Sequence, residues 1–150
     1  MNWEGYSENA SAALDAAQAA AEKSKIATAA TAEKEKEAFF KHVQGKTISV
    51  SYDSGFKFNI DYPEVGVLRW TPTTGLSLAP SDNEQYEVAE VGKDVYQVNW
   101  IEQKGVVISQ VINFKTHKVF AYMTWNKEGE RGNRASIFHR GTFTIHEANK

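Results

Sequence analysis

Three side chains in this chain have the types to do chemistry together: the phenol of Tyr52, the guanidinium of Arg69 and the carboxylate of Glu102. A guanidinium grips an anionic group, a phenol hydrogen-bonds an oxygen, and a carboxylate in an apolar setting can move a proton. Along the run from Tyr96 to Glu102, residues Tyr96, Val98, Trp100 and Glu102 share one register, with Gln97, Asn99 and Ile101 on the other. A carboxylate in line with Tyr, Val and Trp exceeds what a structural strand needs, although a Glu beside the Gln103-Lys104-Gly105 turn is also well served by solvent. Val67, Arg69 and Thr71 share a register against Leu68 and Trp70, and Arg69 could equally lie over the Trp70 ring at the surface. Desolvation beside Trp100 would raise the Glu102 pKa and suit it to general-acid work. A nearby Arg69 would instead hold it ionised as an ion pair or a ligand anchor, and both readings stand.

Other polar candidates are fewer. His117 falls in a turn and His42 in the N-terminal arm, both expected to be exposed. His139 shares a register with Ile137, Phe143 and Ile145 and is expected in the core, at the rim or facing a cavity, while His146 takes the opposite register. No histidine pair has metal-site spacing with carboxylate support, so no metal is expected. No glycine-rich phosphate loop or nucleophile motif occurs, and no cofactor is expected.

Period-two segments must position these residues. Thr47 to Tyr52 alternates polar and apolar, Asp53-Ser54-Gly55 reads as a hairpin turn, and Phe56 to Tyr62 alternates without error until Pro63, which is expected to stop the strand. Further strands are expected at 65–71, 86–91, 95–103, 106–114, 119–125 and 137–146. Mostly short connections make neighbours antiparallel, and about eight such strands close most economically into an up-and-down barrel with room inside for side chains or one small ligand. A β-sandwich is the rival, but the long connection it needs has a single candidate, Thr73 to Asn83. The inward set expected from alternation is Ile48, Val50 and Tyr52, then Phe56, Phe58, Ile60 and Tyr62, with Tyr96, Val98, Trp100 and Glu102.

The composition changes near Gly45, dividing the chain into a helical arm over 1–44 and a barrel over 45–150. From Ser7 to Gln44 there is no Gly or Pro and alanine dominates, which predicts helix, softer between Ser24 and Thr31, where it could divide in two. Gly45 is placed to end the helix in a left-handed cap. Phe39, Phe40 and Val43 form an apolar patch expected to lie on the barrel or close one end. The rest of the arm fits either a solvated stalk or a homo-oligomer contact. A net charge of -2 with no basic block excludes the electrostatics of a nucleic-acid binder. No segment approaches the roughly 20 apolar residues of a membrane span. The N-terminal residues lack signal-peptide features, and the compartment stays open between the cytoplasm and export after processing.

From Gly45 onward the chain resembles the lipocalin-like (calycin) barrels of the MoaF-like and phenolic acid decarboxylase type. The residues that carry this are Gly45 to Phe56, Tyr86-Glu87-Val88, Val95 to Glu102 and the closing Gly141-Thr142-Phe143-Thr144-Ile145. Phenolic acid decarboxylases hold their substrate with first-strand tyrosines, an arginine preceding Trp and a glutamate in Trp-x-Glu. The resemblance places these roles on Tyr52, Arg69 and Glu102. Val50 stands where that family has a second tyrosine, and leaving a buried carboxylate short of a donor costs on the order of 1–3 kcal/mol. The resemblance therefore implies a site of similar outline rather than the same decarboxylation.

Two functions are expected from these readings, and a third from the arm. One is a barrel binding a small aromatic or amphipathic molecule through Tyr52, Phe56, Phe58, Arg69, Tyr96, Trp100 and Glu102. The other is a cofactor-free lyase or isomerase in which Arg69 grips an anion, Tyr52 polarises an oxygen and Glu102 moves the proton. The third is an interaction module built on the arm.

Overall fold

The computed structural model describes residues 3–73, 80–81 and 83–148, apart from the side chains of 3–9 and 23–28. The chain divides into two compact units, Met1–Lys34 and Glu35–Lys150. One α-helix, α1 (Trp3–Val43), supplies the first unit and the opening turns of the second. In the first unit the side chains of 10–22 are all exposed, as expected where alanine offers little area to bury. The softer stretch near Ser24 falls largely on 23–28, whose side chains lie outside the described residues.

The second unit is an antiparallel barrel of eight strands: β1 (Lys46–Tyr52), β2 (Lys57–Glu64), β3 (Val67–Pro72), β4 (Glu84–Gly92), β5 (Val95–Ile101), β6 (Val107–Asn113), β7 (Lys118–Asn126) and β8 (Arg134–Glu147). Each strand pairs with the next, and β8 closes on β1, so the up-and-down barrel is realised and the sandwich is excluded. Pro63 does not stop β2, which continues to Glu64. The register shifts between Asp61 and Glu64, an irregularity at which the missing proline N–H costs no ladder bond.

Up-and-down order gathers the β1–β2, β3–β4, β5–β6 and β7–β8 connections at one end of the barrel and the other turns at the opposite end. The last turns of α1 fill the latter. Phe39 and Val43 are fully buried there. The Phe39 ring meets Tyr62, Tyr86 and Tyr96 edge-on, with centroids at 5.4, 5.5 and 5.4 Å. Edge-to-face contacts add about 0.5–1.5 kcal/mol each to the burial of the ring itself. His42, expected to be exposed, is half-buried and stacks on Phe114 at 4.3 Å. Gly45 then ends the helix with φ +69°, a left-handed conformation that glycine adopts without penalty.

One seam of the wall is thin. Among the described residues β3 and β4 pair only at Val67↔Gln85 and Leu68↔Glu84, whereas β5 and β6 pair at seven positions. Beyond Leu68, Trp70 of β3 bonds Ser81 instead, its N–H donating to Oγ at 2.8 Å and its carbonyl accepting from the Ser81 N–H at 3.0 Å. On β4 the Glu90 N–H donates to the Glu35 carboxylate of α1, and Lys36 lies 3.5 Å from Glu87.

Candidate functional site

The end of the barrel away from Phe39 holds a hollow of about 210 Å³. Its walls come from alternate residues of the strands: Tyr52, Phe58, Ile60, Trp70, Trp100, Ile108, Gln110, Ala121, Met123, Ile137 and His139. Phe56, Glu102, Val106 and Trp125 join them from the turn ends. Burial follows the code that places them. Along β1, Ile48, Val50 and Tyr52 are buried while the residues between them are half-exposed, and along β5 Tyr96, Val98 and Trp100 are buried while Gln97 is half-exposed and Asn99 exposed.

Few polar groups face this space, and each has an identifiable environment. The half-buried Glu102 carboxylate accepts from two indoles at one oxygen, from Trp70 Nε1 at 2.8 Å and Trp100 Nε1 at 3.4 Å. Burial raises its pKa above the ordinary carboxylate value, and the two indole bonds pull partly back. Tyr52 is buried, and burial pushes its phenol up to about 12 against the opposing hydrogen bond from Gln110. That bond, Gln110 Nε2 to the Tyr52 hydroxyl, spans 3.3 Å. The Gln110 amide oxygen is buried without a partner. Turning the amide over would exchange oxygen for nitrogen and leave one end unpartnered either way.

His139 is 1% exposed and stacks on Tyr52 with centroids at 4.2 Å. Its Nδ1 lies 2.7 Å from the Ser54 hydroxyl and its Nε2 3.1 Å from the Met123 sulfur. A thioether sulfur has no proton to donate, so the contact assigns the proton to Nε2 and leaves Nδ1 to accept from Ser54. Burial lowers the His139 pKa, opposed by Asp53, and the ring is neutral near pH 7.

The structure brings together Tyr52, Phe56, Phe58, Trp100 and Glu102 and separates the other two expected residues from them. Arg69 is exposed on the outer face of β3, so the expected trio of Tyr52, Arg69 and Glu102 is not assembled. Directly opposed residues of an antiparallel pair share a face, and Arg69 stands opposite Asp61, which must point outward because Ile60 and Tyr62 point in. Leu68, fully buried, and Trp70 take the inner register instead. Arg69 lines an external polar groove with Thr47, Asn59, Asp61, Thr71 and His146. Tyr96 is buried, but it packs on Phe39, His42 and Phe114 at the filled end.

Sequence reasoning missed Trp70, Gln110, Met123 and Trp125 as lining residues. Gln110 had a weak signal, standing in register between Ile108 and Ile112, but Val107 and Val111 make the other face of β6 equally apolar. Among the described residues no cluster of three His, Asp or Glu could hold a metal ion. No helix among them is long and apolar enough to cross a membrane.

Comparison with known proteins places the barrel. A family model described as MoaF-like matches residues 44–135. No curated protein matches the chain. Among solved structures, a crystal structure from Burkholderia vietnamiensis, provisionally described as a beta-lactamase, is similar with a TM-score of 0.57 and 20% identity. The similarity covers 67% of this chain and 92% of that one, and at this identity it speaks to fold alone.

Proposed function

Taking as premise that the chain belongs to the MoaF-like family, we propose that its barrel binds one small, largely apolar aromatic molecule in the hollow above Phe39. The observation that carries this reading is a hollow of about 210 Å³ with aromatic walls and one end of a buried amide, Gln110, left unpartnered. An apolar protein cavity of about 150 Å³ takes a benzene ring, so this space suits one ring with a short substituent. Concave, mostly apolar pockets with a few placed polar groups are the usual form of small-molecule sites. Tyr52, Phe56, Phe58, Trp100 and Glu102 are the contact residues in this reading. Arg69 and Tyr96 are not, because one faces solvent and the other the filled end.

The lyase or isomerase reading loses its anion grip with Arg69 on the outside. What favours it still is Glu102, whose raised pKa suits proton transfer.

Three of the tryptophans, Trp70, Trp100 and Trp125, line the hollow, so occupancy is read directly by fluorescence. Small monocyclic aromatics are expected to quench emission saturably. Ala121→Phe fills the hollow from a wall position that is 1% exposed and is expected to abolish that saturation with the β-sheet circular dichroism intact. Unchanged saturable quenching in the filled variant would place binding elsewhere and end this reading.

A further inference from the structure

The hollow has charge of one sign only. Among the described residues its lining includes a carboxylate, Glu102, and no lysine or arginine. The remaining lining groups that titrate are Tyr52 of β1 and His139 of β8, and His139 has both ring nitrogens engaged, by Ser54 and by Met123. Glu102 follows the end of β5, at the end of the barrel where the hollow meets the turns, and it is half-buried rather than enclosed. Both indole bonds arrive at one of its oxygens, and among the described residues no hydrogen bond reaches the other. Trp70, Trp100 and Phe58 line the hollow beside it, with the Phe58 and Trp70 rings nearly perpendicular at 5.4 Å.

A carboxylate at the rim of an aromatic box selects by charge. An anionic guest meets like charge with no cation among the lining residues to offset it, whereas an ammonium gains a charge-assisted hydrogen bond. At the rim the ammonium keeps part of its hydration, which spares most of the desolvation that burial of a charge costs. Resting on the binding reading above, we propose that the guest is an arylalkylamine, its ring inside the aromatic walls and its protonated amino group on a short chain at Glu102.

Calorimetric titration of the full chain with a matched series tests this: 2-phenylethylamine, 2-phenylethanol and 3-phenylpropanoate, at pH 7, on wild type and Glu102→Gln. The amine is expected to bind on the order of tenfold more tightly than the alcohol, as one charge-assisted hydrogen bond warrants, and the acid most weakly. Glu102→Gln is expected to erase the preference for the amine over the alcohol. A pH series on wild type reads the same contact without any variant. Protonating Glu102 removes the ammonium's partner, so the amine's advantage over the alcohol shrinks as pH falls through the raised Glu102 titration. The same series on His139→Asn removes the other titrating ring from the comparison. Alcohol or acid binding as tightly as the amine, or an amine preference that survives Glu102→Gln, overturns the assignment while the aromatic-binding reading stands. No binding by any of the three overturns both.

Discussion

The two ends of the barrel interior are built by the same code from the same residue types, yet one is filled and the other hollow. At the filled end α1 delivers Phe39 and Val43 into a ring of Tyr62, Tyr86, Tyr96 and Phe114. At the other end Phe56, Phe58, Trp70, Trp100 and Trp125 line a space that no other element among the described residues fills. Alternation decides which side chains face inward. It does not decide whether they meet one another, and here a single helix end makes that difference.

Truncation at the two ends should therefore have unequal consequences. Phe39→Ala is expected to cost about 3–5 kcal/mol, because the fully buried ring leaves a cavity among close-packed neighbours. Phe58→Ala is expected to cost roughly 1–2 kcal/mol, because its half-exposed ring already borders empty space. Urea denaturation of both variants measures the contrast, and equal losses would dissolve it. A chain cut before Glu35 serves as control. It keeps Phe39 and Val43, should retain the barrel's melting temperature, and its mass in solution reports on any homo-oligomer made by the arm.

A smaller effect sharpens the comparison at the hollow. Gly141 of β8 stands opposite Tyr52 of β1. A Cβ there would run into the Ser51 carbonyl oxygen, which is backbone and cannot swing aside. Gly141→Ala is expected to cost about 1–3 kcal/mol as the strands part. It should also weaken binding in the hollow, through displacement of Tyr52 and the His139 stacked on it, while the Phe39 end stays intact by near-ultraviolet circular dichroism.

The smallest expected effect is in pH dependence. Between the ordinary carboxylate pKa and the raised value of Glu102, the folded protein holds more protons than the unfolded chain, so stability falls as pH rises through that window. His139 acts oppositely. Between its lowered value and the ordinary 6.5 the unfolded chain holds more protons, so stability falls as pH falls through that window. Midpoints of urea unfolding measured from pH 4 to 7 should flatten on the first count in Glu102→Gln and on the second in His139→Asn. No filled-end variant should remove either slope.

Strand positions were legible because the period-two pattern is strong along β1, β2 and β5, and the closed antiparallel topology followed from short connections. The candidate site was legible in part. Tyr52, Phe56, Phe58, Trp100 and Glu102 all line the hollow, as their registers implied. Arg69 went the other way, because alternation leaves a strand's two faces equivalent until the neighbouring strand fixes which one is inner. The pairing of Asp61 with Arg69 supplies that information, and it is a fact of register between strands that neither strand states alone. Gln110 and Met123 stayed hidden for a related reason. β6 and β7 carry apolar residues on both faces, so alternation there has little contrast.

A closed wall gives way first where its rungs are fewest, and in this barrel that line runs between β3 and β4. Two paired positions and a borrowed serine hold one side, while on the other a glutamate from the helix stands in for a missing strand. Amide protons along that line are expected to exchange first, without melting the remaining six strands. A slit opened there would pass beside Trp70, giving a guest too broad for the rim a lateral doorway into the interior.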